Sequence, residues 1–286
     1  MPGLFFWNLY GRQDRNRARR EAAVCATLTR LVQHRDLDVL VFAECEIAEA
    51  QITAALNAGS RGTYHCPPSR SRRIKVWTRL AWGAVVDRYN GRTTDRFTVR
   101  TVTFPAPALA PIRLVGVHLT DRQTATTEAG RAGIVGEIAR TVGDLERRDG
   151  NKRTVLIGDL NMNPYEAGVV GTQALHAVMT KDLTRTVSGL TARERYSCFY
   201  NPMWSCFGDV STGPPGTHYW ANAEEPTNHF WQLYDQVLVR PELMTSFVRV
   251  EILASDGRES LLTRAGRPRS TVLSDHLPLY CEFNFV

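Results

Sequence analysis

The sequence lacks the cysteine patterns of metal clusters and of disulfide frameworks. Its six cysteines are scattered and form no Cys-x-x-Cys pair, so we predict no zinc cluster and expect reduced thiols. The sequence also has no apolar run approaching the ~18–20 residues of a membrane helix. Its first residues show no basic segment followed by an apolar one, as a secretion signal requires. We therefore expect a soluble, cytoplasmic protein with no membrane span.

Internal repeats, low-complexity tracts and recognisable linkers are absent as well. Of the 286 residues, 43% are hydrophobic and 22% are charged, a composition typical of a globular chain with a sizeable core. Because no linker divides the chain, we predict one domain covering residues 1–286 and, by default, a monomer. The net charge of +6 is a mild basic excess that fits a partner carrying phosphate.

Strand-like and helix-like apolar patterns alternate along the chain, which favours a layered α/β fold. An Asn90-Gly91 pair between two strand-like runs predicts a hairpin turn. The predicted helices cover residues 14–34, 47–57, 125–147 and 166–179. The predicted strands cover residues 4–10, 37–44, 75–86, 97–104, 112–119, 154–157, 233–239 and 247–253, and a last strand follows a turn near residue 276.

An irregular insert at about 180–232 interrupts this alternation. Its second part, 196–232, is dense in aromatic residues, glycine and proline, and a loop of this length is usually functional or disordered. Its aromatic rings could form a packed lid or a platform on which bases stack. We favour the lid, because aromatic loops more often bury their rings. Residues 255–271 are polar and basic and are predicted to form a mobile loop.

Polar side chains recur where the predicted strands end. The strand at 154–157 runs through Gly158 into Asp159 and Asn161, which point to the same side because they are two residues apart in extended chain. Each such residue alone has a structural explanation, since Asp and Asn are common in turns. The set comprises Asn8, Glu44, His118, Asp159, Asn161, Asp235, Asp275 and His276.

This set supplies four carboxylates, two amides and two imidazoles, with no cysteine. Oxygen-rich ligands favour Mg²⁺ or Mn²⁺ over Zn²⁺. An Asp that orients a His can also raise the basicity of the imidazole. Together these groups are suited to metal-assisted attack of water on phosphorus.

The ordered motifs resemble the endonuclease/exonuclease/phosphatase superfamily, which includes deoxyribonuclease I, exonuclease III-type AP endonucleases and neutral sphingomyelinases. The Gly-Asp-x-Asn and Ser-Asp-His-x-Pro motifs, in order with the others, carry most of this resemblance. The motifs are Trp7-Asn8-Leu9, Ala43-Glu44, Gly116-Val117-His118-Leu119, Gly158-Asp159-Leu160-Asn161, Tyr234-Asp235-Gln236 and Ser274-Asp275-His276-Leu277-Pro278.

The resemblance implies an α/β fold, a four-layer sandwich of two packed, mixed and mostly antiparallel β-sheets flanked by helices. It also implies that Glu44, assisted by Asn8 and Asp275, holds the metal ion. The catalytic roles that it implies are as follows: Asp235 orients His276, His276 contacts the scissile phosphate or acts as base, Asp159 positions the attacking water or holds a second metal, and Asn161 donates a hydrogen bond to a phosphate oxygen.

The chain departs from deoxyribonuclease I at the partner of His118. In that enzyme the matching histidine pairs with a glutamate on a central strand, whereas the nearest candidate segment here, residues 77–83, has no carboxylate. We therefore take Arg79 as a candidate phosphate contact and keep His118 among the catalytic residues. The presence of His118 favours the deoxyribonuclease-like and phospholipase-like branches over the AP endonuclease branch.

The predicted activity is that of a Mg²⁺- or Mn²⁺-dependent phosphodiesterase, most simply a nuclease with DNA favoured over RNA. Basic runs at 12–20, 61–73 and 258–269 favour nucleic acid as the partner. One alternative is a phosphatase or a phospholipase/sphingomyelinase-type hydrolase of a small or lipid phosphoester. A further alternative is a non-catalytic binding protein on the same fold, which the full set of ligand types argues against.

Overall fold

A computed structural model describes residues 1–11, 15–60, 62–88, 95–105, 110–121, 127–187, 197–221 and 229–285. The Asn90-Gly91 turn, residues 12–14 and 61 of the basic runs, and residues 188–196 and 222–228 of the predicted insert lie outside these ranges. The helices are α1 (Arg17–His34), α2 (Glu49–Gly59), α3 (Glu128–Asp149), α4 (Ala167–Val170) and α5 (Lys181–Val187). No helix in the described ranges has the length and apolarity needed to cross a membrane.

The described residues form two large β-sheets and one short hairpin. The first eight strands are β1 (Gly3–Asn8), β2 (Val39–Ala43), β3 (Ile74–Thr78), β4 (Val85–Asp87), β5 (Phe97–Val102), β6 (Ile112–His118), β7 (Thr154–Asp159) and β8 (Ala177–Val178). The others are β9 (Phe199–Tyr200), β10 (His218–Tyr219), β11 (Trp231–Gln232), β12 (Asp235–Val239), β13 (Phe247–Ile252) and β14 (Leu279–Phe283).

Both large sheets are mixed and mostly antiparallel. The first has five strands in the order β13-β14-β1-β2-β3, and only β1 and β2 run parallel. The second has seven strands in the order β4-β5-β6-β7-β12-β9-β8, with parallel pairs β6/β7 and β8/β9. Strands β10 and β11 pair separately.

The two sheets pack face to face because their strands alternate side chains between an inner and an outer face. In β7, Val155 and Ile157 belong to the core shared with the first sheet, whereas Leu156 packs in the cluster that contains Val135 and Val142 of α3. The sheets approach closely at Gly116, where a Cβ would lie 3.1 Å from Val41 Cγ1.

Helices cover the outer face of each sheet. An apolar stripe on α1, which includes Val24, Leu28 and Leu31, joins Ile52 of α2 in the core of the first sheet, and α1 packs against α2. Helix α3 covers the second sheet and packs against α4. The order helix, sheet, sheet, helix confirms the predicted four-layer α/β sandwich.

Three predicted segments differ in the structure. The single strand expected at 75–86 is two strands in different sheets, because the chain leaves the first sheet after Thr78 and turns at Gly83, whose φ is 83°. The helix expected at 166–179 ends at Val170, since Gly171 caps it in an extended conformation. Residues 255–271 contain two antiparallel bridges, Ser255 with Ser260 and Leu262 with Pro268.

Candidate active site

Three polar side chains stand side by side at one end of the second sheet. His118 ends β6 and pairs in register with Asp159 at the end of β7, and Asp159 pairs with Asp235 at the start of β12. All three share the parity of the inner-facing residues of their strands, such as Ile157 and Val237. The strand pattern therefore directs two carboxylates and an imidazole toward the first sheet.

The close pairing of β6 and β7 depends on Gly158. A Cβ at this residue would lie 2.0 Å from Val117 O, and the φ of Gly158 is 153°. Any larger residue would push the two strands apart just before His118 and Asp159. The glycine thus holds the two functional strand ends together.

The first sheet delivers its polar residues to the same place. Asn8 ends β1 and pairs with Ala43 of the parallel strand β2, so Glu44 follows at the same edge with a φ of 48°. Strand β14 runs antiparallel to β1, which brings the turn at 274–276 back to that edge. Ser274 Oγ donates to Asn8 O at 2.6 Å and accepts from the amide of His276 at 3.0 Å.

Hydrogen bonds join the polar residues of the first sheet to those of the second. Asn8 Nδ2 donates to Glu44 Oε1 at 3.2 Å and to Asp159 Oδ2 at 3.0 Å. His118 Nε2 lies 3.1 Å from Glu44 Oε1 and 4.0 Å from Asp159 Oδ2. The carboxylate that was missing from 77–83 as a partner of His118 is therefore supplied by Glu44.

Asp235 and His276 form the second close pair. His276 Nδ1 lies 2.7 Å from Asp235 Oδ2, and both residues are buried. His276 Nε2 is the nitrogen left open, and it lies 4.0 Å from Asp159 Oδ2. The indole of Trp7 donates to His276 O at 2.9 Å. The backbone of the turn is therefore held by Trp7, and the imidazole ring is held by Asp235.

Asn161 is held in a strained conformation beside Asp159. Its φ is 49°, and its backbone amide donates to Asp159 Oδ1 at 2.8 Å. Its side-chain Nδ2 donates to Leu119 O at 3.0 Å. Asn161 lines the cleft with the other residues, and the hydrogen bond to Leu119 O uses one of the two N–H groups of its side-chain amide.

The pKa values of the clustered side chains are shifted in both directions. Burial opposes ionisation of Glu44, but the hydrogen bond and charge of His118 and the Asn8 amide outweigh it and lower the Glu44 pKa to about 2. Burial raises the pKa of Asp275 to about 6, with Glu44 and Asp159 adding to burial and His276 opposing it. Burial alone would lower the His276 pKa, yet Asp235 raises it well above the usual value.

The donor set suits a divalent cation. Asp275 Oδ1 is buried and has no hydrogen-bond partner among the described residues. Burial, with a smaller contribution from the charge of Glu44, raises the pKa of Asp275, and a cation bound there would offset both effects. The available ligands are carboxylate and amide oxygens with nearby imidazoles, the set that Mg²⁺ and Mn²⁺ accept. Glu44, Asn8 and Asp275 therefore form a candidate metal site.

The cluster lies in a cleft of about 790 Å³. Three arginines, Arg72, Arg73 and Arg96, line the cleft, and none has an acidic partner within the described ranges. Trp220, 36% exposed, lines it as well. Arginine side chains with free donors beside a carboxylate cluster fit a substrate that carries phosphate.

Arg79 is not part of this cleft, and its predicted role as a phosphate contact is wrong. It follows β3, beside the start of β2, and its guanidinium pairs with Asp38 at 3.0 Å and with Asp36 at 2.9 Å. Asp38 and Glu44 flank the two ends of β2, and at ~3.3 Å per residue they lie about 20 Å apart. Arg79 instead ties β3 to the start of β2.

His218 and Arg96 were not singled out from the sequence, whereas Arg72 and Arg73 belong to the basic run at 61–73 and Tyr234 to the motif that contains Asp235. His218 lies on β10, and its ring is 4.4 Å from that of His276 and 5.7 Å from that of Tyr234, measured between centroids. The available signal was the Thr-His-Tyr-Trp run in the aromatic segment. That run was interpreted as part of a lid because aromatic residues dominate it.

The sequence profile of the Endonuclease/Exonuclease/phosphatase family matches residues 5–276, nearly the whole chain. The protein belongs to this family, whose members are hydrolytic phosphoesterases that typically depend on divalent metal ions. No curated protein sequence shows a significant match.

Several solved structures share the fold. A mannosyl-6-phosphatase from Bacteroides thetaiotaomicron matches with a TM-score of 0.61 and 14% identity, covering 100% of both chains. TDP2 from D. rerio, complexed with a single-strand DNA product, gives 0.55 and 15%, covering 99% of this chain and 98% of its own. The Neisseria 3′ phosphatase NExo, bound to a product DNA hairpin, gives 0.51 and 17%, covering 99% of each chain. Identities this low support the shared fold alone.

Proposed function

We propose that this protein is a divalent-metal-dependent phosphodiester hydrolase that acts on DNA. One observation carries the proposal: the carboxylates and imidazoles from both sheets converge in a single cleft, and three arginines without acidic partners in the described ranges line the same cleft. The carboxylates suit a metal ion, and the arginines suit the phosphates that flank a scissile bond.

In this proposal Glu44, Asn8 and Asp275 hold Mg²⁺ or Mn²⁺. When bound, the ion would neutralise phosphate charge and favour attack by water. Glu44 is suited to this role because its low pKa keeps it ionised at neutral pH. The Asn8 amide, bonded to both Glu44 and Asp159, keeps the two carboxylates apart in a fixed geometry.

The remaining residues handle the phosphate and the proton. Asp235 holds the Nδ1 proton of His276, so that Nε2 faces the cleft and contacts a phosphate oxygen or exchanges a proton there. Asp159 is buried within 4.0 Å of both imidazoles, a position suited to orienting the attacking water. His118 and Asn161 border the same space and serve the leaving group and a phosphate oxygen, respectively.

DNA is the favoured substrate because of the charge and aromatic content of the cleft. The three cleft arginines can contact successive phosphates of a DNA strand, and the Trp220 ring can stack with a base. Two structural neighbours were crystallised with DNA products, which is consistent with this choice. The aromatic insert at about 180–232 supplies Trp220, and we assign substrate selection to it.

Hydrolysis of a small phosphoester is the second candidate, because the mannosyl-6-phosphatase fold matches this chain over its full length. A substrate panel separates the two candidates: supercoiled DNA, linear duplex, single strands, RNA, bis(4-nitrophenyl) phosphate and a sugar phosphate, each with Mg²⁺ or Mn²⁺ and with EDTA. We expect cleavage of DNA and its loss in EDTA. Hydrolysis of the sugar phosphate without DNA cleavage would favour the second candidate, and EDTA-resistant hydrolysis would contradict the metal assignment.

A further inference from the structure

His218 is attached to the site more firmly than its place in an irregular segment would require. Its strand forms an antiparallel bridge to His276. The preceding residue, Thr217, accepts from the Leu277 amide through its carbonyl at 2.7 Å and from the Asp235 amide through Oγ1 at 3.1 Å. The hairpin is thus fixed to both members of the Asp235–His276 pair.

The hydrogen bond of His218 defines its tautomer. Nδ1 lies 3.1 Å from Asp275 O, and a backbone carbonyl only accepts hydrogen bonds, so Nδ1 must carry the proton. The neutral imidazole then has its lone pair on Nε2, which has no hydrogen-bond partner among the described residues. A lone pair cannot bind a phosphate oxygen, but it can bind a metal ion.

This arrangement is the one that histidine metal ligands adopt. A ligating imidazole usually donates its other ring nitrogen to a carbonyl or carboxylate, which fixes the tautomer and the ring orientation. In addition, one ligand atom from each of His218, Asp275 and His276 lies within 4.8 Å of the others. Asp275 Oδ1 is buried and has no hydrogen-bond partner among the described residues.

We propose that His218 Nε2 is a nitrogen ligand of the metal ion that Asp275 holds. The inference rests on the proposed function, which places a divalent ion at Asp275. Because imidazole suits transition metals better than it suits Mg²⁺, this ligand would favour Mn²⁺ over Mg²⁺. His276 keeps its role at the phosphate, since its Nδ1 is committed to Asp235.

Two substitutions distinguish the roles of the two ring nitrogens of His218. In His218→Asn, the amide Nδ2 replaces the Nδ1 donor to Asp275 O but leaves nothing at the position of Nε2. In His218→Gln, the longer side chain can place an oxygen near the position of Nε2 but loses the Nδ1 contact. Thermal unfolding of both variants shows whether the hairpin remains attached.

The test is pulsed EPR of Mn²⁺ bound to the full chain, which detects a coordinated ¹⁴N nucleus directly. We expect ¹⁴N coupling in the wild type and in His276→Asn, and its loss in His218→Asn. We also expect His218→Asn to bind Mn²⁺ at least about tenfold more weakly by calorimetry, with a smaller change for Mg²⁺. His218→Gln is expected to bind Mn²⁺ without ¹⁴N coupling.

Two outcomes would overturn the inference in different ways. If His218→Asn bound Mn²⁺ with ¹⁴N coupling unchanged, His218 would not be a ligand, and the proposed metal-dependent function would still stand. If the wild type bound no Mn²⁺ at millimolar concentration, both the ligand assignment and the proposed function would be wrong.

Discussion

His118 Nε2 lies 3.1 Å from Glu44 Oε1, so the end of β6 in one sheet contacts the residue after β2 in the other. The contact links the two sheets at the point where their polar strand ends meet. Burial opposes ionisation of Glu44, but the His118 contact and the Asn8 hydrogen bond together outweigh it and keep the Glu44 pKa low. The carboxylate partner of His118 is therefore itself the central residue of the candidate metal site.

The Asp235–His276 pair predicts the effect of one isosteric substitution. In Asp235→Asn, the carboxylate charge that raises the His276 pKa and accepts from Nδ1 is lost, so the imidazole would keep neither its positive charge nor its orientation toward the phosphate. We expect turnover to fall by ~10²–10⁴-fold. Turnover within twofold of wild type, in a variant with an unchanged melting temperature, would show that the pair has no part in the chemistry.

The cleft arginines predict how DNA binding responds to salt. Each phosphate contact to single-stranded DNA contributes about −0.7 to the slope of log K against log salt. Replacing Arg72, Arg73 and Arg96 by Gln together should reduce the magnitude of that slope by about 2 and weaken binding. The matched control is Arg140→Gln on the exposed surface of α3. Equal slopes for the triple variant and the control would place the DNA outside this cleft.

Stability should depend strongly on a buried ion pair beneath α3. Arg240 donates to both carboxylate oxygens of Glu146, at 2.9 and 3.1 Å, and both residues are buried. Glu146→Ala leaves a buried charge without this partner, so we expect a loss of ~3–5 kcal/mol in the free energy of unfolding. The control is Asp144→Ala, which removes an exposed partner of Arg147 and should cost less than ~1 kcal/mol.

Chemical denaturation of the two variants measures both losses. Equal, small losses would mean that the interior near Arg240 admits water or relaxes around the charge.

Two glycine-to-alanine substitutions should have opposite effects. At Gly158 the new Cβ would lie 2.0 Å from Val117 O, and overpacking of this kind costs ~1–3 kcal/mol. At Gly133, on α3, a Cβ meets nothing within 4 Å, and alanine should stabilise the helix by ~0.5–1 kcal/mol. Thermal unfolding measures both changes, as a lower melting temperature for Gly158→Ala and a higher one for Gly133→Ala. A neutral Gly158→Ala would mean that β6 and β7 can separate without cost.

Much of the fold could be predicted because its strands carry strong local patterns. The strand at 154–159 has an apolar centre, is buried throughout and ends in Asp159, and an apolar strand likewise precedes Glu44. Where the pattern was continuous but the chain changed sheets, the prediction failed, as between Thr78 and Val85. Apolar periodicity alone does not report which sheet a segment joins.

The site residues that were missed depend on contacts remote in sequence. The position of Arg79 could not be predicted without the antiparallel pairing of β2 and β3, which carries it to the far end of the sheet. His218 is brought to His276 by a two-residue strand, too short to give a periodic signal. The partner of His118 was sought in residues 77–83, at the end of β3, whereas it is Glu44, which follows the adjacent strand β2.

The most direct measurement is the initial rate of single-stranded DNA hydrolysis in Mn²⁺ by the wild type, Glu44→Gln and Glu137→Gln. Glu44→Gln removes the charge that would hold the metal ion, so we expect its rate to fall by at least ~10²-fold. Glu137 is exposed on α3, so the rate of Glu137→Gln should match that of the wild type. EDTA should abolish hydrolysis by the wild type. Wild-type hydrolysis that persists in EDTA, or equal rates for the two variants, would contradict a metal-dependent nuclease centred on Glu44.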